Sequence, residues 1–117
     1  MPTATKPPIR YREFVDRYPR LAEAWAAFRQ GEEETPFDER TRRLIKLGVA
    51  IGALREGAVH SATRKGLAAG LTRGEIEEVV ALAAGTVGLP SAVAAFTWIE
   101  DVVSRPATGR RGARRKG

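Results

Sequence analysis

Large apolar residues open the chain's pattern: Phe14, Tyr18, Leu21, Trp25 and Phe28 recur at spacings of four and three. Positions three or four apart return to the same side of an α-helix, so this series is one helical face. It predicts a helix from Tyr11 to Gln30, ended by Gly31, with residues 32–36 as a linker. Asp38, after Phe37, has the short carboxylate of an N-cap, and Leu44, Ile45, Gly48, Ile51 and Gly52 share a face of a second helix running to Leu54. A third helix is predicted from Glu56 to Ala69, closed by Gly70. Thr72-Arg73-Gly74-Glu75 has the form of a capping box, in which hydroxyl and carboxylate each satisfy a backbone N–H of the first turn. It opens a fourth helix through Ile76, Val79, Val80 and Ala83, with a turn expected from Gly85 to Leu89. Pro90 suits the first position of a fifth helix, where Val93, Phe96, Thr97, Glu100 and Val103 fall in register. No stretch alternates with the period of two that strands require, and no solenoid repeat is present. The reading is an all-α fold of five or more helices.

Charge adds a second feature. The net charge is +6, from 20 Lys and Arg against 14 Asp and Glu. Residues 105–117 carry Arg105, Arg110, Arg111, Arg114, Arg115 and Lys116 and no acid, so those six account for the whole excess. A Gly- and Arg-rich tail of this kind buries too little apolar surface to offset its ordering entropy. The expected division is therefore a disordered segment 1–10, a single helical domain 11–104 and a basic disordered tail 105–117. The tail is a solubilising end or a weak, sequence-independent contact for polyanions.

With no cysteine, the chain has no disulfide framework, no thiolate metal site and no cysteine nucleophile. No apolar run reaches the roughly 18 to 20 residues of a membrane span. The segment Met1 to Arg10 lacks the apolar core of a signal peptide. A cytoplasmic location without membrane contact is the expectation. Gly48, Gly52, Ala58, Ala62, Gly66 and Ala69 make the middle helices thin. Such helices bury little area each, at about 25 cal/mol per Å², and association with further copies would supply the missing burial. Trp25 and Trp98 read as core or interface residues rather than stacking platforms.

Two stretches then carry a resemblance: DERTRRLIKLGVAIGALREGAVHSATRKGLAAG and LTRGEIEEVVALAAGTVGLPSAVAAF. From about residue 38 to 100 they resemble the carboxymuconolactone decarboxylase and alkyl hydroperoxidase D family. The second is the more specific, with Gly-Leu-Thr opening a helix and Gly-Leu-Pro before an Ala-rich one. The resemblance implies an all-α fold whose subunits interlock as homotrimers or homohexamers; fold alone does not supply a function. The redox members' Cys-x-x-Cys-x-x-x-His motif would place its cysteines on Arg55 and Ala58 and its histidine on Ala62, and their glutamate on Arg43. All four are replaced, and the histidine of the decarboxylase branch, also at Ala62, is lost with them. Thiolate chemistry has no agent here.

What remains on the third helix is Glu56, His60 and Arg64, spaced by four. A carboxylate beside an imidazole orients it and supports general acid or base catalysis, and a guanidinium holds a substrate carboxylate. Glu56 and His60 are the candidate catalytic pair and Arg64 the candidate substrate-binding residue. The same three side chains also make an ordinary solvated or intersubunit charge ladder, with Glu56 favoured in the first turn by the helix dipole. One His and one Glu on a face give too few ligands for a metal, so no metal and no cofactor is expected. Two readings stand: an enzyme acting by acid/base chemistry on a small carboxylate or lactone, or a non-catalytic oligomeric scaffold or ligand-binding protein that kept the fold.

Overall fold

The computed structural model describes residues 9–104. The expected disorder of the tail 105–117, and of all but the last two residues of segment 1–10, concerns residues outside that range; Ile9 and Arg10 already belong to a helix. Six α-helices follow in order: α1 Ile9–Arg17, α2 Pro19–Glu33, α3 Glu39–Ala53, α4 Glu56–Ala68, α5 Arg73–Val87 and α6 Leu89–Val103. The chain divides into two compact units, one up to Asp38 and one from Glu39.

In the first unit, the single helix expected over Tyr11 to Gln30 is two. Pro19 has no N–H to donate and disfavours helical backbone in the residue before it. Tyr18 accordingly leaves the helix, at φ −127° and ψ 74°, and Pro19 opens α2. The Ala22 N–H still reaches the Tyr18 carbonyl across the joint, at 3.3 Å. Gly31 does not end α2, which runs on to Glu33. Phe14 stacks obliquely on Tyr18 with ring centroids 5.1 Å apart, and Trp25 meets Phe28 edge-on at 6.5 Å. No residue of either helix is buried.

The second unit is a ring of four helices. α3 packs on α4, α4 on α6, α6 on α5 and α5 back on α3, while α4 and α5 barely meet. Its core is Leu47, Ala50 and Ile51 from α3, Val59 from α4, Leu71, Ile76 and Val80 around α5, and Ala92, Ala95 and Ile99 from α6. Trp98 packs against this cluster. Two expected faces are displaced. On α3 only Ile51 of the expected series is fully buried, and Leu47 and Ala50 join it. On α6 the core face is Ala92, Ala95 and Ile99, which leaves Val93 and Phe96 exposed. On α6 two of the three buried residues are alanines, and the larger Val93 and Phe96 beside them face out; on α3 the buried face is Leu47 and Ile51 with Ala50 between them. The turn expected from Gly85 to Leu89 shrinks to Gly88 at φ 93°, and Pro90 lies second in α6 rather than first.

The connections of the second unit are short. After α4, the Leu71 N–H bonds the Gly66 carbonyl at 2.9 Å and the Gly70 N–H bonds that of Leu67 at 3.0 Å, with Gly70 at φ 97°. This is a Schellman cap, where a left-handed residue turns the chain back to the last carbonyls. A methyl on Gly66 would stand 2.9 Å from Leu71 Cδ1, so the missing side chain is the space that Leu71 fills. Thr72 then caps α5: its Oγ1 accepts from the Glu75 N–H at 3.0 Å while its own N–H donates to Glu75 Oε1 at 2.8 Å. Arg40 on α3 donates to the Gly70 carbonyl at 2.7 Å and pairs with Glu75. Arg73 ties α5 to α6 through Glu100 at 2.6 Å. Between α3 and α4 the same capping pattern recurs on a side chain: Leu54 sits at φ 54°, its N–H on Ile51 at 2.9 Å.

Three outcomes follow for stability. Thr72→Ala should lower it by about 1 kcal/mol, the usual worth of an N-cap, read as a fall in melting temperature. Leu54→Gly removes left-handed strain of about 1–2 kcal/mol against an entropy loss of about 0.5–1 kcal/mol for glycine. It should therefore melt slightly higher than wild type; a lower melting point would show that Leu54, 44% exposed, packs more than it strains. Glu75 is held below its ordinary pKa of 4.5, first by the Thr72 N–H and then by Arg40. A depressed carboxylate contributes stability above its unfolded pKa and loses it as pH falls through the folded one. Between pH 6 and 3, wild type should lose melting temperature more steeply than Glu75→Gln; parallel curves would count against this.

Candidate functional site

The three candidate residues lie on α4. The helix leaves Arg55, whose backbone is extended at φ −109° and ψ 114°, and Glu56 is its first residue. Val59, Thr63 and Gly66 are buried on its inner face, with the Thr63 hydroxyl donating to the Val59 carbonyl at 2.7 Å. Glu56, His60 and Arg64 form the stripe next to that face, one position on from Val59 and Thr63. This placement grades them from half-sheltered to open. The His60 side chain is 24% exposed and that of Glu56 is 58% exposed, while Arg64 is exposed and makes no hydrogen bond or ion pair among the described residues.

The structure brings Glu56 and His60 together without joining them. Glu56 Oε2 lies 3.9 Å from His60 Nε2, inside ion-pair range but beyond a hydrogen bond. His60 Nε2 is buried and has no hydrogen-bond partner. A buried nitrogen without a partner carries an uncompensated loss of hydration. A shift of about 1 Å in Glu56 would make the bond, and the exposed carboxylate has room for it. The arrangement can orient an imidazole beside a carboxylate, one helical turn from a free guanidinium.

At the positions where the resemblance places redox chemistry, Arg55 and Ala58 are exposed and Ala62 packs against the core. Arg43, in the glutamate position, has a buried Nε with no partner. It is a second buried polar group without a hydrogen-bond partner. Its only signal in the sequence is the replacement of an acid by a base. Among the described residues, no three His, Asp or Glu side chains are grouped to hold a metal ion. No helix among them is long and apolar enough to cross a membrane.

A hollow lies elsewhere. Between α3 and α5 is an open apolar groove of about 620 Å³, lined by Leu44, Ile45, Gly48, Gly52, Val79 and Leu82 among others. None of Glu56, His60 and Arg64 borders it. The α3 series that the sequence placed on one face is thus largely the wall of this groove. It exists because Gly48 brings α3 close to Val79 of α5, 3.9 Å from where a Cβ would stand, and Gly52 leaves open space.

Six helices, no strand among the described residues and a polar stripe on the helix after the tight Leu54–Arg55 joint now stand beside the comparisons with known proteins. No curated protein and no solved structure matches the chain. A family model does, over residues 19–101, which takes in α2 as well as the stretch from residue 38 in which the resemblance was read. Because that match spans well over half of the sequence, the chain belongs to the carboxymuconolactone decarboxylase family.

Proposed function

We propose that this protein carries out acid/base chemistry on a small carboxylate or lactone, with His60 and Glu56 as the catalytic pair and Arg64 as the group that holds the substrate. The observation that carries this reading is the buried, unpartnered Nε2 of His60 with a carboxylate 3.9 Å away. When Glu56 closes that gap it accepts a hydrogen bond from the Nε2–H, fixes the ring and leaves Nδ1 to take or return a proton on the substrate. Arg64, exposed on the next turn, grips a carboxylate through two parallel N–H bonds. Thiol-dependent peroxide reduction falls outside the reading, because the chain has no cysteine to supply a thiolate.

The loss of the family's reactive positions favours a second reading. With Arg43, Arg55, Ala58 and Ala62 in those places, a scaffold or binding protein that kept the fold accounts for the same chain.

Ligand affinity across a panel of small carboxylates and lactones separates the two. Under the first reading at least one member binds wild type, and His60→Ala abolishes that binding with little change in melting temperature. Arg64→Lys keeps the charge but loses one charge-assisted hydrogen bond, worth about 1.5 kcal/mol or more, so affinity should fall about tenfold. Glu56→Gln should lower turnover more than binding. If no member binds wild type better than His60→Ala, the stripe is a structural charge ladder and the scaffold reading stands.

A further inference from the structure

The two helices of the first unit have no core of their own. α1 has 9 residues and α2 has 15, at or below the length at which an isolated helix is marginal in water. Yet Phe14, Tyr18, Leu21, Trp25 and Phe28 keep the spacing of one helical stripe along the two helices, and each is between 47% and 67% exposed. A row of five such side chains is far more apolar surface than scattered exposure explains, and marks a face that packs on something. On the small-residue side of α2, Ala24, Ala27 and Gly31 leave a shallow hollow beside Phe28.

Charge along the stripe selects the occupant. Residues 9–20 hold Arg10, Arg12, Arg17 and Arg20 against Glu13 and Asp16, a net +2. Residues 21–34 hold Glu23, Glu32, Glu33 and Glu34 against Arg29, a net −3. One end of the unit is basic and the other acidic. We infer that the stripe pairs with the same stripe of a second copy of the chain, in antiparallel orientation. That orientation sets the basic end of each copy on the acidic end of the other, twice, across a two-fold axis. It also lays the bulky Phe14 and Tyr18 of one copy towards the end where Ala24, Ala27 and Gly31 of the other make room. A parallel pairing would instead set like charges together at both ends, which is destabilising.

The chain's lack of cysteine makes the test clean, because any thiol introduced is the only one. Arg10→Cys and Glu32→Cys place a thiol at opposite ends of the stripe. A short bismaleimide should join the two variants when they are mixed and join neither variant to itself. Self-crosslinking of Arg10→Cys alone would mean parallel pairing, and absence of crosslinks in the mixture would mean that the stripes do not meet; either overturns the proposal. Separately, Trp25→Ser with Phe28→Ser should halve the mass seen by sedimentation at micromolar concentration while the melt of the second unit persists. A wild-type monomer, with the stripe satisfied inside its own chain, or a double variant of unchanged mass, would also overturn it.

Discussion

Arg40 reaches from the first turn of α3 to two places at once, the carbonyl of Gly70 and the carboxylate of Glu75. Around it the chain makes its sharpest reversal. Gly66 opens the space that Leu71 enters, Gly70 takes the left-handed backbone, and Thr72 with Glu75 begins the next helix. Every backbone N–H from Ala69 to Thr72 is bonded, so α4 stops and α5 starts within four residues. The ring of α3, α4, α6 and α5 depends on that economy. A looser connection would let α5 slide along α3, and the alanines and glycines at their contact offer little shape to resist it.

A thin core explains much of the rest. Among the described residues, five of the ten buried apolar ones are alanine or valine: Ala50, Val59, Val80, Ala92 and Ala95. Helices packed through such residues approach closely, and their larger side chains end on the outside. Val93 and Phe96 on α6, Leu82 on α5 and Ile45 and Val49 on α3 are all exposed for that reason. The same economy makes the α3–α5 groove, and it applies to the first unit in an extreme form, where nothing is buried at all. Apolar surface left over at this scale is the physical argument for association in the family fold, independent of any resemblance.

The candidate site sits at the border of that thin core. His60 is the neighbour of Val59 on one side and of solvent on the other, so its ring is sheltered while its nitrogen lacks a partner. Arg43 has the same property on α3. In most folds such groups are paired, and unpaired ones concentrate where a ligand or a moving side chain completes them. Leu54, at left-handed φ two residues before Glu56, is a further local disadvantage beside the candidate site.

Much of this was legible in the residues. The apolar spacing, the capping box at Thr72 and Glu75, and Gly70 as a helix stop depend on local backbone chemistry, which a sequence states directly. So does the Glu56–His60–Arg64 stripe, since residues four apart on a helix must share a side. Pro19 was equally local, and the unbroken spacing across it masked the break, because a kink of one residue barely disturbs the phase of the stripe. What only the tertiary structure decided is which side of each helix faces inward. On α6 hydrophobicity pointed to Val93 and Phe96, but packing buried Ala92 and Ala95 with Ile99, and on α3 it buried Leu47 and Ala50 beside Ile51 in place of Leu44 and Ile45, because distance between backbones, not apolarity alone, sets which face can be buried. The burial of the unpartnered Nε of Arg43 and the α3–α5 groove belong with that choice. Spacing along one chain cannot state them, since each is a property of the gaps between helices.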